Sequence, residues 1–140
     1  MPEETKKSMP ISTDPTCIVT DGEIELMLPL RTVSECNSTE HWHKKAVRHS
    51  TQKSLVKFAL KDHCNKVILP CQLTLIRYAP RRLDKHDNLP MSMKWIVDAV
   101  CESITGIRRA GRADDDETKI AIFYCQVLNK EYGVKLLIRW

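Results

Sequence analysis

The stretch QLTLIRYAPRRLDKHDNLPMSMKWIVDAVCESIT, residues 72–105, decides the fold. Gln72 to Tyr78 is rich in Leu, Thr and Ile and reads as a strand. Pro80 ends it, and a loop runs from Arg81 to Asp87. Asn88 at a cap and Pro90 in the first turn then open a helix. Met93, Ile96, Val97, Val100 and Ile104 recur at helical spacing and form its apolar stripe to about Thr105.

Upstream, a second helix is expected from about Glu40 to Asp62. Val47, Thr51, Leu55, Phe58 and Ala59 form its apolar side, and Lys45, Lys53, Lys57 and Lys61 a broad polar face. It is basic, with Lys44 and Arg48 added against Glu40 and Asp62. Before it, Glu23 to Leu28 alternates as a half-buried strand does. Residues 1–20 mix Pro, Ser, Thr and charges and are expected to be a mobile tail. Downstream, Gly106 to Ala113 is a basic loop. Lys119 to Val127 is apolar on both faces, as a central strand is, and Val134 to Trp140 alternates as a final strand. The expected order is strand, helix, strand, helix, strand, strand. This is an α+β domain over residues 21–140, a small mixed or antiparallel sheet packed with two main helices.

Composition narrows the class. At 140 residues the chain has the size of one domain, with 42% hydrophobic and 29% charged residues. A net charge of +4 leans towards anionic partners. No run approaches the length of a membrane span, and Met1 to Thr20 has no apolar run of signal-peptide type, so a cytoplasmic protein is expected. None of the six cysteines forms a C-x-x-C pair. A zinc site using Cys36, His41, His43 or His63 with Cys64 matches no standard ligand spacing.

The chemistry lies in acids set among basic residues. Asp84 and Asp87 form one group, and Asp114, Asp115 and Asp116 a second. Between them the helix carries Lys94 and Asp98, four residues apart. If the strands Gln72–Tyr78 and Lys119–Val127 are antiparallel neighbours, both acidic groups meet at one sheet edge. Converging carboxylates repel one another unless a cation neutralises them, and Mg²⁺ takes oxygen ligands. Against this stand plainer readings: Asp84 paired with Arg81 or Arg82, Asp98 paired with Lys94, and the triplet as a solvated turn.

The segment from Arg81 to Leu89, then Lys94 and Asp98-Ala99, resembles the RusA-type Holliday junction resolvases, especially those of phages and prophages. That family shows Asp-x-Asp-Asn-Leu, a downstream Lys, Asp-Ala on one helix, and a second acidic motif before a strand. Here the first pair is Asp84-x-x-Asp87, with Lys85 where the motif's first Asp falls. Gly111 to Asp116 resembles the second motif, and Ile122, Tyr124 and Gln126 resemble an aromatic-x-Tyr-x-Gln strand. The likeness covers roughly residues 22–140. It implies a homodimeric, bacterial or phage-encoded endonuclease that resolves branched DNA with Mg²⁺ or Mn²⁺ and no small-molecule cofactor. It implies Asp84, Asp87 and Asp115 or Asp116 as metal ligands and Lys94 as the catalytic lysine. Candidate DNA contacts are Lys44, Lys45, Arg48, Arg81, Arg82, Arg108, Arg109 and Arg112. The alternative is a RusA-like DNA binder that no longer cuts.

Overall fold

The computed structural model describes residues 8–33, 41–106 and 119–140. Five strands and two long helices occur there: β1 (Thr16–Thr20), β2 (Glu23–Leu28), α1 (Trp42–Leu60), β3 (Cys71–Ala79), α2 (Asn88–Thr105), β4 (Ile120–Leu128) and β5 (Gly133–Arg139). A 3-10 turn, Cys64–Lys66, follows α1. The α+β class is as expected, with one strand more than the sequence reading placed.

That strand is β1. It corrects the mobile tail for the described residues before Glu23. Thr16 to Thr20 pairs antiparallel with β2 across a tight turn at Asp21-Gly22. Gly22 has φ +77°, a conformation side chains rarely adopt, and a Cβ there would meet the Trp140 carbonyl at 3.1 Å. Further up, Asn129 accepts from the Met9 N–H at 2.6 Å and donates to the Met9 carbonyl at 2.9 Å.

The sheet order is β1-β2-β5-β3-β4. β5 is antiparallel to both β2 and β3, and β4 is parallel to β3. Strands β2, β3 and β4 therefore point the same way, and both helices begin at the end where these strands finish. Two expectations change. β4, read as a central strand, lies at the edge among the described residues, and β5 is the central one. The antiparallel β3/β4 pairing that would join the acidic groups is replaced by a parallel one. A parallel pair needs a crossover, and α2 supplies it.

Both helices cover one sheet face. Ile24, Leu26 and Leu28 of β2, Leu73 and Leu75 of β3, and Val134, Leu136 and Ile138 of β5 meet Leu89, Met93, Ile96, Val97 and Val100 of α2 in one core. α1 is turned relative to the expected stripe. Its buried residues are Gln52, Val56 and Leu60, whereas Val47 and Phe58 are exposed. The reason lies on α2. Glu102 receives Lys57 at 2.7 Å and Lys53 at 3.4 Å, so two lysines assigned to the outer face close the helix interface instead. The opposite sheet face carries the cross-strand pairs Lys135–Glu25 at 3.1 Å and Arg139–Glu23 at 3.4 Å.

Candidate functional site

The carboxyl ends of β2, β3 and β4 are where the topology gathers loops and helix N-termini, the usual place for a ligand in such sheets. The loop from Pro80 to Asp87 lies there. Two inward-facing side chains hold it. Arg77 of β3 donates from Nη1 to the Arg81 carbonyl at 2.7 Å. Gln126 of β4 accepts from the Leu83 N–H at 2.9 Å and donates to the Leu83 carbonyl at 2.8 Å. Gln126 thus pairs with the loop as an extra strand does, with two opposed hydrogen bonds.

The two acids of this loop differ in their work. Asp84 is local scaffolding as well as charge: its Oδ2 accepts from the Asp87 N–H at 3.1 Å and its carbonyl from the Leu89 N–H at 2.8 Å. Asp87 occupies the N-cap of α2, one residue before the expected Asn88, yet its side chain makes no capping hydrogen bond. Its exposed carboxylate sits at the positive end of the helix dipole. Neither acid forms an ion pair with Arg81 or Arg82 among the described residues.

Lys94, two turns into α2, is exposed, with its ammonium 5.3 Å from the Trp95 ring centroid. Asp98 is 4% exposed and faces inward, so the expected pairing of the two is not formed. Trp95 in turn stacks on His49 of α1 at 4.1 Å. At the start of α1, Lys44 is exposed, while Lys45 and Arg48 are half-buried and engaged in contacts of their own.

Asp114, Asp115, Asp116, Arg108, Arg109 and Arg112 lie outside the described residues. What is described is where their strand starts. The Cys71 N–H donates to the Lys119 carbonyl at 2.9 Å, so β4 opens beside the first residue of β3. The nine residues of β3 span about 26 Å, which separates that point from the loop bearing Asp84 and Asp87. Among the described residues no group of three or more His, Cys, Asp and Glu gathers as a metal site, the zinc reading included; Cys36 lies outside them.

Sequence reasoning missed Arg31 and Arg77, and placed Gln126 only within the resemblance of β4 to an aromatic-x-Tyr-x-Gln strand. Arg77 is 5% exposed, and its Nε donates to the buried Thr32 hydroxyl at 2.8 Å. Arg31 follows β2, its guanidinium 4.6 Å from the Tyr132 ring centroid. Burial pushes the Arg77 guanidinium below the ordinary arginine range, Tyr132 opposes this, and the nearby Arg31 charge adds to it. The signal for Arg77 was legible: it stands on the inward parity of β3, in line with Leu73 and Leu75, where a charged residue needs a reason.

No family model matches the chain, and no curated protein matches it. Among solved structures it is similar to the OmpA-like domain of FopA1 from Francisella tularensis subsp. tularensis SCHU S4, at 12% identity over 99% of this chain and 92% of that one. The TM-score is 0.35, too low a likeness to carry an argument.

Proposed function

We propose that the chain is a metal-dependent endonuclease of the RusA type that cuts branched DNA, working as a homodimer in the cytoplasm of a bacterium or phage-infected cell. The observation that carries this reading is the loop with Asp84 and Asp87. It is clamped to the sheet by Arg77 and Gln126 and lies at the strand ends beside Arg31 and Arg81.

The donor set bears on the metal. Mg²⁺ is commonly held by one or two carboxylates and completes its octahedron with waters and substrate phosphate. Asp84 and Asp87 fit an ion shared with substrate in this way, and the described residues fall short of an all-protein cage. Asp87, free of capping work, is the first ligand, and Asp84 the second. A bound Mg²⁺ or Mn²⁺ supplies Lewis acidity towards a phosphodiester and its attacking water. The protein's own part is to hold the two carboxylates in place, to bring phosphates to Arg81 and Arg82, and to set the Lys94 ammonium where charge develops on the scissile group. Recognition rests on phosphates and junction shape.

One observation favours the second reading, a DNA binder without cleavage. The parallel β3/β4 pair starts β4 at the far end of β3 from Asp84 and Asp87. A labelled four-way junction, incubated with and without Mg²⁺ beside a linear duplex of matching sequence, separates the two. Paired, junction-specific, metal-dependent nicks are expected. Salt-sensitive binding with no cutting in Mg²⁺ or Mn²⁺ leaves the binder, and no preference for the junction removes both.

A further inference from the structure

We infer that the recess between Arg31, Arg77 and Arg81 is a phosphate-binding site, built to take a backbone phosphodiester of a nucleic acid. It stands whether or not the acidic loop cuts DNA.

The recess measures about 460 Å³ and lies at the carboxyl ends of β2 and β3. Its walls come from four separate parts of the chain: Arg31 and Thr32 after β2, Arg77 within β3, Arg81 and Leu83 in the acidic loop, and Tyr132 before β5. This volume exceeds what a lone phosphate fills and leaves room for the attached sugar.

Charge is the first argument. Three guanidiniums line one recess, and no described carboxylate forms an ion pair with any of them. Burying a guanidinium without a counterion is costly, and gathering two more beside it adds repulsion. Arg31 and Arg81 are exposed while Arg77 is buried, and among the described residues Arg77 has no such partner as Glu102 gives Lys53 and Lys57 or Glu25 gives Lys135. An anion from outside supplies the balance that the described residues do not.

Donor geometry is the second. Arg77 spends Nε on Thr32 and Nη1 on the Arg81 carbonyl. A guanidinium has five N–H donors, so Nη2 and the second Nη1 hydrogen remain for a ligand. The two spent bonds fix the guanidinium plane, and Tyr132 holds Arg31 by its ring face. Pre-oriented guanidiniums match the paired oxygens of a phosphate, which a lone ammonium does not. The same Arg77 anchors the loop bearing Asp84, so an occupied recess and the acidic loop share one support.

The test uses the full chain and inorganic phosphate at constant ionic strength. Melting temperature is followed against phosphate concentration for the wild type, Arg31→Gln and Lys61→Gln, the last an exposed cation far from the recess. A saturable rise is expected in the wild type and in Lys61→Gln. Arg31→Gln should weaken the phosphate Kd about tenfold, the loss of one charge-assisted contact. Arg31 is exposed and, among the described residues, makes no hydrogen bond or ion pair, its guanidinium lying over the Tyr132 ring, so its removal spares the fold. No saturation in the wild type, or equal responses in the two variants, overturns the site. A ten-residue oligothymidylate should compete with phosphate in the wild type; phosphate binding without such competition overturns the backbone assignment. Phosphate saturation in a protein that leaves junctions uncut counts against the nuclease reading alone.

Discussion

Asp87 and Asp84 stand three residues apart in one loop, yet the backbone uses them differently, and this separates their variants. Asp84 accepts the Asp87 N–H, so Asp84→Ala should cost about 1 kcal/mol of stability as well as activity. Asp87 caps nothing with its side chain, so Asp87→Asn should leave stability within about 0.5 kcal/mol. Under the nuclease reading it should reduce cutting by about a hundredfold or more. It should keep or tighten junction binding, since a negative charge facing phosphate is removed. Wild-type cutting by this variant would end the assignment. Lys94→Ala is the companion. Among the described residues its ammonium meets the Trp95 ring face and forms no ion pair, so cutting should fall while the melting temperature holds. A parallel fall in both would make Lys94 structural. The acids, Lys94, Arg81 and Arg82 were legible as residue types in a pattern. Arg31 was not, because nothing local marks a residue that matters only for what the fold brings beside it.

At the scale of elements, the α1–α2 contact depends on Glu102. The Lys57 hydrogen bond holds its carboxyl below the usual glutamate range; burial opposes this, and the Lys53 charge reinforces it. A lowered folded-state pKa means that the contribution is complete above the ordinary glutamate pKa. It is lost as pH falls through the folded value. Glu102→Gln should therefore destabilise the chain by about 1 kcal/mol at neutral pH, a figure discounted for the partly exposed lysines. The difference from the wild type should vanish in acid, which melting curves at pH 7 and below pH 4 will check. A constant difference across that range would reject the ion-pair account. The helix itself was legible, but its orientation was not. α1 has weak amphipathicity, and with Val47 and Phe58 outside, its rotation is set by Glu102 and the core rather than by its own stripe. β4 offers the second test at this scale. Gln126→Leu removes both hydrogen bonds to Leu83 and should cost about 2 kcal/mol. If the acidic loop binds metal, it should also raise the Mg²⁺ concentration needed for cutting. Gln126→Glu keeps the acceptor for the Leu83 N–H but turns a carboxylate oxygen towards the Leu83 carbonyl, so it should not restore the loop.

On the scale of the whole molecule, residues 8–11 lie against the turn between β4 and β5. Asn129 is 5% exposed and bonds both backbone groups of Met9 and the Glu131 carbonyl. Lys130 donates its N–H to the Ser8 hydroxyl, and Ile11 lies against Gly133, where a Cβ would sit 3.1 Å from it. Asn129→Ala should thus cost about 2 kcal/mol and release the N-terminal segment, seen as faster amide exchange at Met9 and Ile11. Unchanged exchange there would show that the segment is held by other contacts.

Elements whose signal is local could be read directly from the residues. Two helices, the alternating strands and the loop between β3 and α2 follow from periodicity, Pro80, Asn88 and Pro90. The Asp21-Gly22 turn was a local signal too, and reading it would have placed β1. The order and direction of the strands emerge with the folded sheet, because pairing depends on partners distant in the chain. Leu73 shows this: its alternation fits a parallel or an antiparallel neighbour equally well, and Ile122 stands beside it in the parallel one. That choice sets β4's start apart from Asp84 and Asp87. The same sheet brings Arg31, from beyond β2, beside Arg77 and Arg81, a juxtaposition that no local pattern encodes.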